Sequence, residues 1–214
     1  MKQKKIFFDM DGVLANFPAG IIRGFQNITE NNNTSRRAFR RYLAYDGEDR
    51  QEINMEFLES LPAKKDTGGK LTTFEKRVRD VIFSIPGVGK DQFWLSLPLL
   101  PGALQMIEHA ISLVGIENVH ICSAPISDTN AEEGKKAWCE THLPVLSENV
   151  IITPHKESVP PLFPNCDCIL VDDRHKYVSA WTSGGGIAIH HRPPATLERS
   201  VKSMQELSNL INVN

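Results

Sequence analysis

The sequence predicts an α/β fold, a Rossmann-like, doubly wound parallel sheet that carries a mostly helical insertion after its first strand. Short apolar runs typical of buried strands alternate with helix-like segments from residue 98 onward, which favours a parallel sheet with helices on both faces. Residues 15–92 differ in character, since they are rich in Arg, Glu, Asn and Phe. We therefore expect a core formed by residues 1–14 and 96–214 and a helical insertion over residues 15–95.

Hydrophobic patterning predicts the individual elements of the core. Residues 4–9 have the short apolar run of a buried strand, and helical spacing predicts a helix over 104–114 that ends at Gly115. The capping-box pattern formed by Ser203 and Glu206 predicts the beginning of a C-terminal helix. The other expected elements are strands at 119–122, 150–152, 168–171 and 187–190, a core helix near 131–142, and helix-like stretches of the insertion around 18–30, 35–45, 50–60 and 71–84.

The composition is that of a globular protein without an extensive nucleic-acid-binding surface. The 214 residues are 41% hydrophobic and 23% charged, and the formal net charge is -2. No apolar stretch approaches the roughly 18 residues of a membrane span, and the basic start precedes no signal-peptide apolar region. We therefore expect a cytoplasmic protein. Its four cysteines lack the spacing of a disulfide framework or of a zinc site.

Two aspartates, Asp9 and Asp11, follow the first apolar run and precede Gly12. Open α/β sheets bind ligands beyond the carboxyl ends of their strands, so we expect this pair in a binding crevice. Asp9 is the candidate nucleophile, because a carboxylate can form an aspartyl-phosphate, and Asp11 is the candidate general acid and base. Both are also candidate ligands of a metal ion. An ordinary Asp-Gly turn is the alternative interpretation.

Further polar groups follow three other predicted strands. Ser123 and Ala124 could hold phosphate oxygens through a hydroxyl and backbone N–H groups, and Lys156 could neutralise a phosphoryl group. The adjacent acids Asp172 and Asp173 are costly to bring together without a cation, and Mg²⁺ suits them because it prefers oxygen ligands. Each group taken alone has a simpler explanation, namely a serine in a turn, a solvated lysine and a charged turn.

The order Asp-x-Asp, Ser, Lys and Asp-Asp, with each motif at a strand end, resembles that of the haloacid dehalogenase-like phosphohydrolases over nearly the whole chain. The resemblance implies magnesium-dependent chemistry with Asp9 as nucleophile, Asp11 as acid and base, and Lys156 beside them. It also implies that Mg²⁺ is held by Asp9, the backbone carbonyl of Asp11 and Asp173, with Asp172 in support. The insertion resembles the cap domain of that superfamily, which closes over the site and selects substrates.

A closer resemblance, to the 5'(3')-deoxyribonucleotidases of that superfamily, covers the first motif up to Phe17, the segment 93–104 and the last two motifs. This resemblance implies that Phe17, Phe93 and Trp94 pack around a nucleobase, a task that planar aromatic faces suit. Core residues of the cap hinge are the alternative interpretation.

The chain departs from the deoxyribonucleotidase pattern near its second motif. Ala124 stands where that family has a second phosphate-binding hydroxyl, and a lysine that often follows shortly afterwards is absent. Lys135 and Lys136 are the two residues that could compensate, and a solvated helix face is the alternative for both. These departures leave the expected chemistry intact and leave the substrate open.

Together these patterns predict a magnesium-dependent phosphomonoesterase that hydrolyses nucleoside monophosphates, with deoxyribonucleotides as the expected class, through an aspartyl-phosphate. The expected partner is a small-molecule nucleotide, and no membrane partner is expected. The sequence leaves open whether the protein forms a homodimer, which base and sugar it prefers, and whether it acts on 5' or 3' phosphates. The alternatives are a phosphatase of another phosphoester, such as a sugar phosphate or a nucleic-acid 3' phosphate, and a non-catalytic nucleotide- or metal-binding protein.

Overall fold

The computed structural model describes residues 2–17, 19–20, 91–125 and 131–212, and the elements below are numbered within these ranges. The helix-like stretches predicted for the insertion, and therefore nearly all of the predicted cap, lie outside the described residues. None of the helices in these ranges is long and apolar enough to cross a bilayer.

A five-stranded sheet, parallel throughout, forms the centre of the core, in the order β3-β2-β1-β4-β5. This arrangement confirms the predicted doubly wound α/β fold class. The first strand is central, and its neighbours β2 and β4 therefore carry their last residues to the same edge as the end of β1. The strands are β1 (Gln3–Phe8), β2 (Val119–Ser123), β3 (Val150–Ile152), β4 (Cys166–Asp172) and β5 (Ile187–His190).

Helices cover both faces of this sheet, and alternate side chains of the central strand point to opposite faces. Ile6 and Phe8 lie in a large apolar cluster with side chains of the helices before and after β2, whereas Phe7 lies in a second cluster with Trp181. The helices are α1 (Asp91–Leu95), α2 (Ala103–Val114), α3 (Ala131–His142), α4 (His175–Ser183) and α5 (Leu197–Asn212).

The segments on either side of residues 21–90 lie next to each other. The backbone N–H of Asn16 donates to the carbonyl of Pro98 at 2.8 Å, and the N–H of Leu100 donates to the carbonyl of Leu14 at 2.8 Å. These hydrogen bonds join the loop after β1 to the loop before α2. The chain therefore leaves and re-enters the core at one place, which is compatible with the predicted insertion; the predicted domain boundaries stay a prediction.

The C-terminal helix begins earlier than the capping-box pattern predicts. Helix α5 starts at Leu197, so Ser203 lies within the helix rather than at its N-cap. Ser203 is buried, and its hydroxyl is hydrogen-bonded to Nδ1 of His191 at 3.0 Å. A serine that packs inward and meets a buried histidine thus carries the same local sequence signature as a cap. Helix α4 was not predicted, because its nine residues include only three large apolar side chains, those of Tyr177, Val178 and Trp181.

We predict that His191 makes the fold sensitive to acid. Its burial, together with the charge of Arg199, lowers its pKa from 6.5 to about 4. A histidine whose pKa is depressed in the folded state contributes stability above its unfolded pKa and loses that contribution as the pH falls toward the folded value. The free energy of unfolding should therefore fall between pH 6.5 and about 4, with up to about 3 kcal/mol of the fall due to this group.

Denaturant unfolding at several pH values measures this contribution through the variant His191→Gln. The difference in stability between the wild type and His191→Gln should shrink as the pH falls, because the variant has no proton to bind at this position. His155→Gln is the matched control, since the side chain of His155 is 74% exposed. A wild type and a His191→Gln variant with the same pH slope would contradict the prediction.

Candidate active site

The candidate residues of four motifs meet at the carboxyl edge of the sheet. Asp9 follows β1 directly, and its backbone N–H donates to the carbonyl of Val171 in β4 at 2.9 Å. Ser123 and Asp172 are the last residues of β2 and β4. Parallel pairing of both strands with β1 brings these side chains together, since their registers align the three strand ends.

Lys156 is fully buried and joins two of the strand ends. Its ammonium lies 2.6 Å from Oδ2 of Asp172 and 3.0 Å from Oδ1 of Asp9. The backbone N–H of Met10 also donates to Oδ1 of Asp9, at 2.9 Å, so two donors hold that carboxylate oxygen. A lysine that follows β3 thereby fixes the carboxylate predicted to be the nucleophile.

The charges around Asp9 favour its ionised form. Burial alone would raise the pKa of this carboxyl group, but the ammonium groups of Lys156 and Lys135 outweigh burial and lower it. The pKa of Lys156 is raised, because the attraction of Asp9 and Asp172 exceeds the penalty of its own burial. Asp9 is therefore a carboxylate and Lys156 an ammonium near neutral pH, a pairing that suits an attacking group beside a phosphoryl-binding cation.

Asp172 and Asp173 stand in different environments although they are adjacent. Both oxygens of Asp172 have donors, since Oδ2 accepts from Lys156 and Oδ1 accepts from the backbone N–H of Arg174 at 2.8 Å. Oδ1 of Asp173 is buried and has no hydrogen-bond partner in the described part of the chain. A buried carboxylate oxygen without a donor favours a cation as its partner.

The acidic groups at this edge fit a magnesium ion. Carboxylate oxygens of Asp9, Asp172 and Asp173 lie within 4.8 Å of one another, and all are hard oxygen ligands of the kind that Mg²⁺ prefers. Burial raises the pKa of Asp172 to about 7 and that of Asp173 well above its usual value, and the charge of Asp9 adds to both shifts. The site thus concentrates more negative charge than it can hold without a cation or a proton.

Gly12 makes the approach of Asp173 possible. Its φ is +83°, in the left-handed region, and a Cβ at this position would lie 2.7 Å from Oδ2 of Asp173. Any larger residue would therefore both strain the backbone and push Asp173 away from the loop that follows β1. The glycine after the Asp-x-Asp motif has a geometric role in bringing the first and last motifs together.

Lys135 occupies a position in this site that the sequence left open. It is fully buried, and its ammonium donates to Oδ2 of Asp11 at 2.6 Å, to Oγ of Ser123 at 2.8 Å and to the carbonyl of Ala124 at 2.7 Å. Lys136 instead lies on the surface and pairs with Glu132. Helical periodicity could have separated the two lysines, because Lys135 lies on the same helix face as Trp138 and Cys139, which are buried.

Asp11 lies at the edge of this cluster, with a side chain that is 25% exposed. Burial raises its pKa, the ammonium of Lys135 opposes that shift, and the negative charge of Asp9 adds to it, so the net direction is upward. Asp9 and Asp11 therefore have pKa values shifted in opposite directions. Two nearby carboxyl groups with divergent pKa values are typical of a pair that divides the tasks of nucleophile and acid.

The three aromatic residues predicted to surround a base lie together beside α3. Phe17 and Phe93 meet edge to face with ring centroids 5.4 Å apart, and Phe93 and Trp94 meet in the same way at 5.3 Å. Trp94 and Phe93 are buried, whereas Phe17 is half-buried. The ammonium of Lys135 lies over the Trp94 ring, 4.8 Å from its centroid. The proposed contact of these rings with a base stays a prediction.

The core has the fold of the haloacid dehalogenase-like hydrolases, as the motif order predicted. A provisionally assigned haloacid dehalogenase-like hydrolase from Burkholderia xenovorans is similar, with a TM-score of 0.54 at 18% identity over 98% of each chain. A haloacid dehalogenase-superfamily hydrolase from Geobacter sulfurreducens has a TM-score of 0.52 at 14% identity, over 98% of this chain and 97% of that one. At these identities the likeness establishes the fold.

Sequence comparison finds a human protein that is similar to this chain. The cytosolic type of 5'(3')-deoxyribonucleotidase from Homo sapiens is 28% identical to this chain over 173 residues, which are 79% of this chain and 70% of that protein. No family model matches the chain. The similarity to this relative agrees with the resemblance inferred from the motifs.

We predict that Gly12→Ala disrupts the acidic cluster beyond its effect on the backbone. A side chain at a left-handed glycine costs about 1–2 kcal/mol, and here the added methyl group would also displace Asp173. We expect Mg²⁺ to raise the melting temperature of the wild type, and this rise should disappear in the variant.

Gly185→Ala is the matched control for this prediction. Gly185 has a φ of +88°, but a Cβ there would meet nothing within 4 Å. Both variants should lose stability in the absence of Mg²⁺, whereas only Gly185→Ala should keep the stabilisation by Mg²⁺. A full response of Gly12→Ala to Mg²⁺ would contradict the prediction, because it would show that Mg²⁺ binding does not depend on the close approach of Asp173 to residue 12.

Proposed function

We propose that this protein is a magnesium-dependent phosphomonoesterase that works through a phosphorylated aspartate. The observation that carries the proposal is the buried carboxylate of Asp9, held by Lys156 beside an oxygen of Asp173 that lacks a donor. An ionised nucleophile, a buried ammonium and a candidate cation site at one point are the parts that phosphoryl transfer needs.

In the proposed reaction Asp9 attacks the phosphorus atom and the bond from phosphorus to the leaving oxygen breaks. Lys156 offsets the negative charge that gathers on the phosphoryl group, and it keeps the Asp9 carboxylate in a fixed orientation through the contact at 3.0 Å. The hydroxyl of Ser123 and nearby backbone N–H groups hold the phosphoryl oxygens. Catalysis in this site is therefore mainly positioning and charge neutralisation.

Asp11 transfers the proton in both halves of the reaction. Its carboxyl group gives a proton to the leaving oxygen in the first half. In the second half its carboxylate takes a proton from the water that attacks phosphorus, and the bond from phosphorus to Asp9 breaks to release phosphate. The upward shift in the pKa of Asp11 supports the first task, because an acid must hold its proton until the bond breaks.

The residues that would hold Mg²⁺ are Asp9, the backbone carbonyl of Asp11 and Asp173, with Asp172 in support. The bound ion would supply positive charge against the phosphoryl oxygens. Asp172 suits the supporting role because Lys156 and the Arg174 N–H already occupy its two oxygens.

Nucleoside monophosphates, with deoxyribonucleotides as the preferred class, are the substrates we propose. Two observations support this choice: the similarity to a human protein described as a 5'(3')-deoxyribonucleotidase of the cytosolic type, and the aromatic group Phe17, Phe93 and Trp94. A cytoplasmic location belongs to the same proposal. Burial of Phe93 and Trp94 favours the second candidate, a phosphatase of another phosphoester that does not stack on these rings.

Phosphate release from a panel of substrates tests the proposal. The panel holds ribo- and deoxyribonucleoside monophosphates, sugar phosphates, p-nitrophenyl phosphate and a 3'-phosphorylated oligonucleotide, each with Mg²⁺ and with excess chelator. We expect magnesium-dependent release that is fastest with deoxyribonucleotides. Release confined to sugar phosphates or to the oligonucleotide would agree with the proposed chemistry but would show that the substrate is not a nucleoside monophosphate.

Asp9→Asn should abolish this activity, with a loss of at least about 10⁴-fold in kcat, since the amide cannot form the phosphorylated intermediate. Asp167→Asn is the control, because Asp167 lies at the other end of β4 and carries the same substitution away from the site. Equal activity of Asp9→Asn and the wild type would show that Asp9 is not the nucleophile. Ligand binding without any phosphate release would favour the non-catalytic alternative.

A further inference from the structure

The three contacts of Lys135 account for its whole capacity to donate hydrogen bonds. An ammonium group has three N–H donors and no acceptor, and Lys135 donates to Asp11, Ser123 and the carbonyl of Ala124 at 2.6–2.8 Å. No donor is left for a phosphoryl oxygen while these contacts last. Lys135 therefore differs from Lys156, and it does not simply replace the hydroxyl that is missing at Ala124.

We propose that Lys135 is a positioning residue that fixes which oxygen of Asp11 serves the leaving group and how the Ser123 hydroxyl points. This inference rests on the phosphomonoesterase proposed above and deepens it. Its basis is the geometry of one buried ammonium that binds the side chains of two different motifs.

The contact with Asp11 distinguishes the two oxygens of that carboxyl group. Because an ammonium can only donate, Oδ2 accepts from Lys135, and this contact favours Oδ1 as the oxygen that carries a proton of this carboxyl group. Oδ1 is buried and has no hydrogen-bond partner among the described residues. Lys135 thus holds Oδ2 and leaves Oδ1 to exchange a proton with the substrate.

The proton balance of the first half-reaction follows from this assignment. Asp9 forms a bond to phosphorus, the electron pair of the bond to the leaving group moves onto the ester oxygen, and Oδ1 of Asp11 gives that oxygen its proton. Asp11 is then a carboxylate, and the ammonium of Lys135 at 2.6 Å balances the new negative charge. In the second half the oxygen of water forms a bond to phosphorus, the bond from phosphorus to Asp9 breaks and restores the Asp9 carboxylate, and a proton of the water returns to Asp11 as phosphate leaves.

The contact with Ser123 orders a second group of the site. Oγ of Ser123 accepts from Lys135, so the hydroxyl proton points away from Lys135. The Ser123 hydroxyl also helps to lower the pKa of Asp9, the carboxyl group at which the phosphoryl group would arrive. One lysine on α3 thereby aligns groups that follow β1 and β2.

The packing under Lys135 keeps the ammonium in place. The ring of Trp94 lies beneath it at 4.8 Å, and the preceding residue of α3 is Gly134. A Cβ at Gly134 would overlap the Trp94 ring, so this glycine permits the close contact of α1 and α3. Lys135 is thus held by a packed aromatic ring as well as by its hydrogen bonds.

The test compares two leaving groups in the full-length variant Lys135→Met, which keeps side-chain length and removes the charge. An alkyl phosphate, taken as the best nucleotide or sugar phosphate of the panel, leaves as an alkoxide that needs a proton, whereas p-nitrophenyl phosphate leaves as a stable phenolate. We measure kcat/KM, because it includes only the steps up to departure of the leaving group. The alkyl phosphate should lose on the order of 10²-fold, and p-nitrophenyl phosphate should lose at least about tenfold less.

Lys136→Met is the matched control, since it removes the neighbouring lysine of the same helix from an exposed pair with Glu132. It should leave both kcat/KM values unchanged. An equal loss for both substrates in Lys135→Met would overturn the proposal, because a structural role or direct binding of phosphate would not depend on the leaving group. Unchanged activity toward both substrates would overturn it as well.

A second variant covers the case in which Lys135→Met does not fold, since it leaves the carboxylate of Asp11 without its partner. Lys135→Gln can still donate to one acceptor, and it should shift the ratio of the two kcat/KM values in the same direction by a smaller factor. An unchanged ratio would overturn the proposal. If the wild type itself hydrolyses neither substrate in Mg²⁺, the proposed function fails, and that result differs from every outcome that tests Lys135.

Discussion

Four carboxyl groups meet at one edge of the sheet in this protein, and the rest of the site depends on how their charge is balanced. Asp9, Asp11, Asp172 and Asp173 are opposed in the described part of the chain by two fully buried ammonium groups and by the exposed Arg174. Burying like charges together is unfavourable unless each finds a partner. The remaining negative charge is what a divalent cation would neutralise, and it is also what makes this edge suitable for phosphoryl chemistry.

Each lysine makes its direct contacts to different aspartates, although the charges of both lower the pKa of Asp9. Lys156 comes from the segment after β3 and holds Asp9 and Asp172, while Lys135 comes from α3 and holds Asp11. The pKa of Asp9 falls and that of Asp11 rises, although the two residues are only two positions apart. The opposite pKa shifts of Asp9 and Asp11 therefore come from their three-dimensional surroundings and not from the motif itself.

Most of the sheet and the main residues of the site could be predicted from the sequence, because both follow from local patterns. Short apolar runs located the strands, and a parallel sheet brings polar residues that follow its strands to one edge. The start of α5 could not be predicted in this way, since Ser203 has the sequence environment of a helix cap but packs against His191. Local sequence does not report what a side chain meets after folding.

The role of Lys135 shows the same limit at the site. Helical periodicity favours burial of Lys135 over its neighbour Lys136, but the acceptors that the buried ammonium meets depend on how α3 packs against the strand ends. The role of Gly12 also could not be predicted from local sequence, because its contact with Asp173 joins residues that are far apart in the chain. Long-range contacts of this kind set the fine geometry of the site, whereas the motifs identify its chemistry.

In the proposed reaction Asp9 forms a covalent bond to phosphorus, and trapping the phosphorylated enzyme is the direct test of that step. Enzyme mixed with substrate and Mg²⁺ would be quenched in acid within the first turnover, digested and analysed by mass spectrometry. We expect one phosphoryl group on the peptide that contains Asp9. Its occupancy should be higher in Asp11→Asn when p-nitrophenyl phosphate is the substrate, because the base for the hydrolysis step is then missing. Phosphate release without any phosphorylated Asp9, or a phosphoryl group on a different residue, would contradict the proposed reaction.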